Sequence, residues 1–578
     1  MKNKTYSRYA FIFACSILAL FASCSKNSVQ LQDGTFTGTG EGRNGNIEVS
    51  ITVENGRITD AKVLNEMETP DIGFPAEEPI LTQFIQDGST KDIDVVSGAT
   101  LTSNAMLDAL DMATDKAKGK EKTSQSYTDT SCDIVIIGAG GAGLVAATES
   151  ANKGAKVIVL EKMGIVGGNT NSSTGGINAS YTKEQERLGI KDSKEVFFED
   201  TMKGGKYLND PELVHTLVDN SKATVEWLES DLIGADLTDV GIFGGATNKR
   251  IHRPQGGGAI GAHLVPLLYN AAVKQGADIR LKNKVTDILK AEDGSACGVR
   301  VNYEGSEYTI KAKAVIIASG GFGANPEMVA KYNPELKGFG TTNHKGATGD
   351  AFKMVEKFDA SLTQMEQIQT HPTVVPSSGT MITEAVRGNG AILVSRSGKR
   401  FVDEMETRDV VSKAVLEQPG ATAFLVFDQN VRNSLKAIES YAKAGFMKQA
   451  ETPELLAKQL GIDEKSFAQT LERYNGFVAS KNDEDFARNV NSMERSLTAA
   501  PYYAIEILPA IHHTMGGLKI NSKAEVQNKN GKSIPGLFAA GEVTGGVHGA
   551  NRLGGNAVAD ICVFGKIAAD SALDYISK

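Results

Sequence analysis

An arginine inside a glycine-rich stretch near the C-terminus carries the strongest chemical signal in this sequence. Residues 545–556 read GGVHGANRLGGN, so Arg552 is surrounded by backbone that can approach a flat ring closely. A guanidinium group binds a carboxylate through two parallel hydrogen bonds, and His512 would be a further donor beside it. The sequence therefore predicts a site that holds an acidic ligand against a ring system.

A second group of polar residues lies between about residues 369 and 508. His371 and Thr383 could hold a second carboxylate at the other end of the same ligand. Arg387, Arg408 and Asp409 could instead form an ion-pair network that only stabilises the fold. In chain order the group contains His371, Thr383, Glu384, Arg387, Arg408 and Asp409.

A dinucleotide-binding fingerprint lies far upstream of these residues. The apolar run 132–137 leads into Gly138, Gly140 and Gly143, in the pattern G-x-G-x-x-G. A second apolar run, 156–160, ends at Glu161, at about the distance that the fingerprint requires. The glycines would let backbone N–H groups meet a pyrophosphate at a helix N-terminus, and Glu161 would accept a hydrogen bond from a ribose hydroxyl.

Further glycine-rich segments favour FAD over NAD as the dinucleotide. Residues 167–178 are too rich in glycine and small hydroxyl residues for a plain helix, and are typical of a loop along a bulky ligand. Two strand-to-glycine turns, 315–321 and 536–542, are far apart in the sequence, as a two-part FAD domain requires. From these segments and the C-terminal stretch, the residues expected at the cofactor are Gly168, Asn169, Thr170, Gly175, Gly176, Gly320, Gly321, Glu542 and Asn556.

Composition sets limits on what the protein can bind. With 578 residues, of which 41% are hydrophobic and 23% charged, the chain should hold several domains with cores. The net charge of −9 argues against nucleic acid as a partner, and an anion site must depend on local cations. Cys132, Cys297 and Cys562 have no close pairing, so neither a disulfide framework nor a metal site is expected.

The N-terminus has the pattern of an export signal. Lys2, Lys4 and Arg8 precede the apolar stretch 9–22, which is short for a membrane span of about 20 residues. Residues 21–24, Phe-Ala-Ser-Cys, resemble a lipoprotein cleavage box. We expect residues 1–23 to be a signal peptide and Cys24 to carry a lipid, in the periplasm or at the cell surface. An uncleaved anchor is the alternative, and it leaves the protein in the same compartment.

Residues 30–118 form a small unit of their own, followed by a polar linker, 119–130. Asn55-Gly56 between two alternating runs predicts a β-hairpin. The run Ser97-Gly98-Ala99-Thr100 before a helical segment resembles the FMN-binding domain of membrane redox-complex subunits. The resemblance implies that a flavin transferase joins FMN covalently to Thr100 through a phosphoester, with Thr102 in reserve. The alternative is a simple helix cap.

From about Ser131 onwards the sequence resembles the flavoprotein of the soluble periplasmic fumarate reductase and flavocytochrome c family, which is related to succinate dehydrogenase. The resemblance implies an α/β fold, with a Rossmann-like two-part FAD-binding domain (131–366 and 511–578) and an inserted α+β capping domain (367–510). The residues that carry it are Gly138 to Gly143, Gly167-Gly168-Asn169, His371-Pro372, Thr383 to Gly388, Thr407-Arg408-Asp409, His512, Thr514 to Gly517 and His548 to Asn556.

One departure from the family is informative. Family members with a multihaem domain receive electrons through it, whereas here the small FMN-type unit stands in its place and no Cys-x-x-Cys-His motif is present. Electrons from a membrane or soluble donor are therefore expected to enter through FMN. The resemblance further implies that Arg408 donates a proton and is resupplied through Glu384 and Arg387.

These features predict an enzyme that transfers hydride from non-covalently bound FAD to the double bond of fumarate. Cations on the carboxylate would stabilise the negative charge that grows on the neighbouring carbon. Three alternatives stay open. They are a reductase of another unsaturated carboxylate such as urocanate, methacrylate or a cinnamate, an oxidase or dehydrogenase acting on succinate or an amino acid, and a flavin electron-transfer protein without a substrate.

Overall fold

The computed structural model describes residues 31–42, 46–65, 76–91, 93–94, 100–119 and 126–578. The chain divides into two compact units, 1–125 and 126–578, and the border falls inside the predicted linker. The predicted signal segment 1–23, Cys24 and residues 97–99 lie outside the described residues. Among the described helices, none combines the length and apolar character needed to cross a membrane.

The small unit contains a three-stranded antiparallel sheet of Gly34–Glu41, Asn46–Glu54 and Arg57–Asn65. Asn55-Gly56 joins the last two strands, and both turn residues have positive φ, 53° and 71°. Asn-Gly is the residue pair that best tolerates this conformation, so the predicted hairpin is confirmed. One face of the sheet is buried and carries Ile47, Val49, Ile51 and Val53.

Two helices, Glu77–Asp87 and Thr100–Ala117, pack on the sheet of the small unit. The helix Thr100–Ala117 approaches the first strand closely, because Gly38 and Gly40 have no side chains. A Cβ atom on either glycine would lie 1.9 Å from a carbonyl oxygen of this helix. The described part of the small unit therefore has the α+β fold that the sequence predicts.

The large unit is organised around an eight-stranded sheet. Its parallel strands, in spatial order, are Ser533–Ala539, Ser306–Ile317, Thr130–Ile137, Val157–Leu160 and Asp278–Arg280. Its antiparallel strands are Asn283–Lys290, Ala296–Tyr303 and Glu525–Gln527. Because Ser533–Ala539 pairs directly with the central strand Ser306–Ile317, the domain is assembled from two widely separated parts of the chain, as predicted.

Three long helices pack together beside this sheet. The first, Gly141–Asn152, is almost entirely buried and contacts both Ile260–Lys274 and Asn556–Ile576. The order Thr130–Ile137, Gly141–Asn152, Val157–Leu160 is the strand–helix–strand unit that the glycine fingerprint predicts.

The inserted region is an antiparallel sheet with a core of its own. Its strands are Ile368–Val374, Ile392–Val394, Ala423–Asp428, Lys448–Ala450 and Tyr502–Thr514. The strand Tyr502–Thr514 has 13 residues, and the expected domain border between 510 and 511 lies inside it. A continuous strand therefore leads from the cap into the FAD domain and ends at the predicted site histidines.

Shorter elements complete the large unit. Helix Arg408–Leu416 packs on strand Ile368–Val374, which places Arg408 beside the strand that carries His371. Other α-helices are Gly168–Asn171, Lys183–Arg187, Lys194–Gly204, Pro211–Leu228, Pro326–Tyr332, Asp350–Met354, Ala385–Gly388, Gln429–Asn433, Ala437–Lys443, Pro453–Leu460 and Glu464–Ser480. Two small sheets consist of Leu362–Thr363, Gly517–Lys519 and Thr544–Gly545, and of Ile177–Asn178, Asp239–Gly241 and Ile251–Arg253.

Candidate active site

The glycine fingerprint forms an open cradle at the start of helix Gly141–Asn152. Gly138 has φ 102°, and a Cβ atom there would lie 2.5 Å from the carbonyl oxygen of Ala318. A Cβ atom on Gly143 would lie 1.9 Å from the carbonyl oxygen of Gly138, so this glycine lets helix and strand pack closely. At Gly140, by contrast, the nearest atom would be 3.9 Å away. The cradle therefore leaves space for a phosphate beside a helix N-terminus.

The cradle opens into a cavity that is lined by residues from several parts of the chain. Its walls come from the ends of the central strands and from the short helix Gly168–Asn171, where the sequence predicts a loop. Residues predicted at the cofactor that line this cavity are Gly138, Gly140, Glu161, Gly168, Asn169, Thr170, Gly320 and Glu542. The cavity thus brings together residues from five separate sequence segments.

Other residues predicted at the cofactor do not line this cavity. A Cβ atom on Gly176 would meet the carbonyl oxygen of His252 at 2.3 Å, and one on Gly321 would meet the hydroxyl of Thr514 at 2.1 Å. Gly175 packs in the same way against Phe243. The amide of Asn556 is bonded to Asn178 and Thr201 within the protein. With Gly143, these residues shape the packing around the cavity.

Two acidic residues on the cavity wall are held by the protein's own donors. Glu161 accepts hydrogen bonds from the backbone N–H groups of Ala139 and Met163, both over 2.9 Å. Glu542 accepts from the backbone N–H of Thr514 (3.1 Å) and from Asn169 (3.3 Å). Burial raises the pKa of both carboxyl groups, although these donors oppose the shift.

Several cavity residues are not among those that the sequence predicts at the cofactor. Ser319 is informative, because its hydroxyl is buried without a hydrogen-bond partner among the described residues. An unsatisfied buried hydroxyl is costly, so a ligand group is expected to bond it. The donors and acceptors of the cavity wall therefore fit FAD. Further lining residues that the sequence did not predict are Lys162, Met163, Asn283, Lys284, His344 and Asp350.

The expected FMN attachment site is described only in part. Thr100 is the first residue of helix Thr100–Ala117, directly after the undescribed run 97–99. Thr102, the reserve candidate, is only 3% exposed. A modifying enzyme cannot reach a buried hydroxyl in the folded domain, so the structure disfavours Thr102.

The residues expected to move a proton form a buried group that we call the proton row: Arg408, Glu384 and Arg387. Nε of Arg408 donates to Oε2 of Glu384 over 2.7 Å. Nη2 of Arg387 lies 3.9 Å from the same oxygen, and the backbone N–H of Gly244 donates to the other oxygen over 2.8 Å. Glu384 therefore lies between two arginines, as a relay requires.

Charge keeps the central carboxylate of the proton row ionised. Burial raises the pKa of Glu384, but the charges of Arg408 and Arg387 outweigh burial, so its pKa lies below the usual value. Burial also lowers the pKa of Arg387, against the attraction of Glu384. Nη1 of Arg387 donates to the carbonyl of Glu404 over 2.5 Å, which fixes the far end of the row.

The residues expected to bind acid groups lie close to the proton row. We call His371, His512 and Arg552 the carboxylate cluster. The two imidazole rings are 5.0 Å apart between centroids, at an angle of 65°. Within the described part of the chain, Nε2 of His371 and Nε of Arg552 are buried without a hydrogen-bond partner. These unused donors are the groups that an anionic ligand would satisfy.

Thr383, the fourth residue expected at the substrate, begins the turn that carries Glu384. Its hydroxyl accepts from the backbone N–H of Ala385 over 3.4 Å, and its own N–H donates to the hydroxyl of Tyr441 over 3.0 Å. The residue is buried, with 2% exposure. Thr383 is therefore placed next to the proton row, whereas the other three residues form the carboxylate cluster.

The carboxylate cluster has an excess of positive charge. Burial, and then the charge of Arg408, hold the pKa values of His512 and His371 well below the usual range. The same two causes lower the pKa of Arg552 well below its ordinary value. Since like charges raise each other's free energy at such short range, the pocket is stabilised when an anion enters.

Sequence reasoning missed Gln369, which links the two groups. Its carbonyl oxygen accepts from Nη1 of Arg408 (3.2 Å), and its amide nitrogen donates to the carbonyl of Arg552 (2.7 Å) and to Asn551 (2.6 Å). Gln369 lies two residues before His371 but belongs to none of the motifs, so only the fold reveals its position.

Two alternatives from the sequence can be compared with the contacts. Asp409 pairs with Lys206 (2.6 Å), so it does not join Arg387 and Arg408 in one network. His513, expected to pack rather than react, lies 3.6 Å from Glu542, and its ring is 5.4 Å from that of His548. His548 in turn lies 3.1 Å from Asp560, a buried pair that the sequence did not reveal.

Comparisons with known proteins agree with this geometry. Residues 133–558 match the model of the FAD binding domain family, and residues 42–115 match that of the FMN-binding domain. The chain is 48% identical to a fumarate reductase (cytochrome) of Shewanella frigidimarina, over 81% of each protein. It is 40% identical to an NADH:fumarate oxidoreductase of Klebsiella pneumoniae, over 96% of this chain and 60% of that protein.

A solved structure and a further relative extend the comparison. The open conformation of a flavocytochrome c3 fumarate reductase superposes with a TM-score of 0.65 at 40% identity, covering 84% of this chain and 85% of that one. A urocanate reductase of Eggerthella lenta is 34% identical, over 93% of this chain and 92% of that protein. These relatives are named for fumarate and for urocanate, two unsaturated acids that differ in structure.

Proposed function

This chain belongs to the FMN-binding fumarate reductase flavoproteins of the succinate dehydrogenase and fumarate reductase superfamily, and we propose that its own substrate is fumarate. It is an FAD-dependent oxidoreductase of unsaturated carboxylates. The observation that carries the proposal is the carboxylate cluster, with buried donors unmatched on both His371 and Arg552. Fumarate has a carboxylate at each end of its double bond and can satisfy both.

The residues of the site would have separate roles in the reduction. Bound reduced FAD would supply a hydride to one carbon of the double bond. The neighbouring carbon then becomes negatively charged, and Arg552 and His512 would stabilise that charge through the attached carboxylate. Arg408 would give this carbon a proton, and a proton from Arg387 would replace it by way of the Glu384 carboxylate. Arginine is a weak acid, with a pKa above about 12, so it suits only a strongly basic carbanion.

A panel of unsaturated acids tests the substrate. The purified holoenzyme is mixed with reduced viologen dye and with fumarate, urocanate, methacrylate or a cinnamate, and dye oxidation is followed. We expect the highest kcat/KM with fumarate, because the other acids have a single carboxylate. A higher kcat/KM with urocanate than with fumarate would indicate that urocanate is the substrate. If no acid reoxidises the protein, the electron-transfer alternative gains support, and oxygen uptake with succinate or aspartate tests the reverse reaction.

We also propose that electrons from a membrane or soluble donor enter through FMN joined covalently to Thr100 by a flavin transferase. The match of residues 42–115 to the FMN-binding domain supports this role. After denaturing electrophoresis, the wild type should show flavin fluorescence and Thr100→Ala should not. Thr102→Ala is the matched control, because its hydroxyl is buried. If fluorescence is lost in Thr102→Ala and kept in Thr100→Ala, the attachment site is Thr102 and not Thr100.

Export is proposed from the N-terminal pattern. Three basic residues, an apolar stretch and the sequence before Cys24 support a lipoprotein signal. Fractionation of cells that express the wild type or Cys24→Ala tests the lipid anchor. We expect the wild type in the membrane fraction, and a wild type recovered only in the cytosol would contradict export.

A further inference from the structure

The two imidazoles of the carboxylate cluster differ in what fixes their proton. Nδ1 of His371 accepts from the backbone N–H of Thr373 over 3.3 Å, and a backbone N–H can only donate. The proton of neutral His371 therefore resides on Nε2, which is buried and has no partner in the described part of the chain. Backbone geometry alone makes His371 a donor to a ligand.

Among the described residues, no backbone N–H donates to Nδ1 of His512, and the hydroxyl of Thr342 lies beside this atom instead. Oγ1 of Thr342 lies 2.7 Å from Nδ1 of His512. A hydroxyl can donate or accept, so its other contacts decide the direction of this bond. The second contact of Oγ1, to the carbonyl of Ile511, is 3.3 Å long.

The carbonyl of Ile511 already has a better donor. The backbone N–H of Thr342 donates to it over 2.8 Å. The hydroxyl of Thr342 has one proton for two acceptors, and we assign it to Nδ1 of His512, because that contact is 2.7 Å long and the contact to Ile511 is 3.3 Å. This arrangement leaves the proton of His512 on Nε2, at the opposite side of the ring.

We propose that Thr342 is a positioning residue that sets the tautomer of His512, so that Nε2–H is presented to a carboxylate of the substrate. The proposal rests on the proposed function, because it takes a carboxylate as the ligand. Without the hydroxyl, the proton could move to Nδ1, and a lone pair on Nε2 would then face an anion. That contact is repulsive instead of bonding.

Because both rings are neutral, each has only one proton, and its position on the ring must be fixed. Burial, together with the charges of Arg408 and Arg552, holds both pKa values well below the usual range. A doubly protonated imidazole would donate from either nitrogen, whereas a neutral one has a single proton to place. Thr342 and the backbone of Thr373 thus perform the same task at the two rings by different means.

Two substitutions at one position separate this role from simple packing. Thr342→Val keeps the shape and removes the hydroxyl, while Thr342→Ser keeps the hydroxyl and removes a methyl group. In the FAD-loaded enzyme we expect Thr342→Val to raise KM for fumarate and Kd for succinate by about ten- to a hundredfold, the effect of one lost hydrogen bond to a charged group. Thr342→Ser should stay within about threefold. If Thr342 only fills space, Thr342→Ser, which loses a methyl group, should weaken binding more than Thr342→Val does.

Thr148→Val is the matched control. Its hydroxyl is buried and bonded to carbonyl oxygens of Leu144 and Leu268, away from the carboxylate cluster. Bound flavin per protein should equal the wild type in every variant. If Thr342→Val binds succinate as tightly as Thr342→Ser does, the proposal is wrong.

A substrate-free measurement separates failure of this proposal from failure of the proposed function. Nitrogen-15 spectra of histidine-labelled protein report which ring nitrogen carries the proton, and only eight histidines are present. His512 is assigned by its absence in His512→Gln. We expect a bare Nδ1 and a protonated Nε2 in the wild type, and a loss of this preference in Thr342→Val. A protonated Nδ1 in the wild type would overturn the proposal whatever the substrate is.

Discussion

The proton row and the carboxylate cluster lie side by side but satisfy their charges differently. In the proton row, both oxygens of Glu384 accept hydrogen bonds, from Arg408 and from Gly244. In the carboxylate cluster, donors of His371 and Arg552 remain unmatched in the described structure. The central carboxylate of the proton row is therefore fully bonded by the protein, although Nε and Nη2 of Arg387 have no hydrogen-bond partner among the described residues. The carboxylate cluster instead leaves open the donors that would face a ligand.

The layer behind the proton row shows the same matching. Glu404, whose carbonyl holds Arg387, bonds through its carboxylate to Arg400 (2.8 Å) and Arg488 (3.0 Å). Arg488 in turn donates to the carbonyl of Arg387 over 2.6 Å. The difference between the two regions can be tested by removing one member from each.

The largest effect is expected in turnover. Arg408→Lys keeps the charge but cannot reach both Glu384 and Gln369, so kcat should fall by about 10³–10⁴-fold, as for loss of a positioned general acid. Succinate binding, followed by flavin absorbance, should change by less than about threefold. Arg432→Lys, at a partly exposed pair with Glu439 in the cap, is the control. A comparable loss of binding and turnover would remove the distinction between the two regions.

The next effect is expected in stability. Glu404→Gln leaves two buried arginines without a full counter-charge, so the free energy of unfolding should fall by about 3–5 kcal/mol. The thermal midpoint measures this change, and Glu439→Gln, in a partly exposed pair, should cost less than about 1 kcal/mol. KM should stay near the wild-type value. Equal midpoints for the two variants would contradict a structural role for the layer.

Removal of a member of the carboxylate cluster should weaken binding without weakening the fold. In Arg552→Gln an unmatched buried charge disappears, so the thermal midpoint of the substrate-free enzyme should not fall. The Kd for succinate should rise about a hundredfold, because two charge-assisted hydrogen bonds are lost. A midpoint as low as that of Glu404→Gln would show that the cluster is matched after all.

The smallest effect per residue is expected from pH. His371, His512 and His513 have folded-state pKa values well below 6.5 because they are buried near cations, whereas the unfolded chain protonates them near 6.5. The unfolded state therefore binds more protons, and stability should fall as pH drops below about 6.5, by about 1 kcal/mol per unit and imidazole. Thermal midpoints between pH 7.5 and 5.5 measure this. His371→Gln should show a shallower slope, and an identical slope would refute this cause.

The sequence predicts the cofactor cradle well because that signal is local. Gly138, Gly140 and Glu161 follow from one strand–helix–strand pattern, and all three line the cavity. A glycine pattern indicates that another group approaches the backbone closely, but it does not show whether that group belongs to the cofactor or to the protein. Gly176, expected at the cofactor, instead approaches the carbonyl of His252.

The rest of the site depends on contacts between distant segments. Thr342 meets His512 and Gln369 meets Arg408 only because separate strands and loops converge, and no spacing in the sequence encodes either pair. Ser319 follows a strand end that the sequence does predict, but nothing local shows that its hydroxyl is left unbonded.

The uninterrupted strand Tyr502–Thr514 has a mechanical consequence. It belongs to the sheet of the cap and ends with His512, His513 and Thr514, and Thr514 is already bonded to Glu542 on the cofactor cavity. A swing of the cap sheet cannot leave His512 behind, since no flexible joint separates them. Opening of the pocket to solvent and release of the product would then occur together, because the same strand movement would also withdraw His512 from the bound acid.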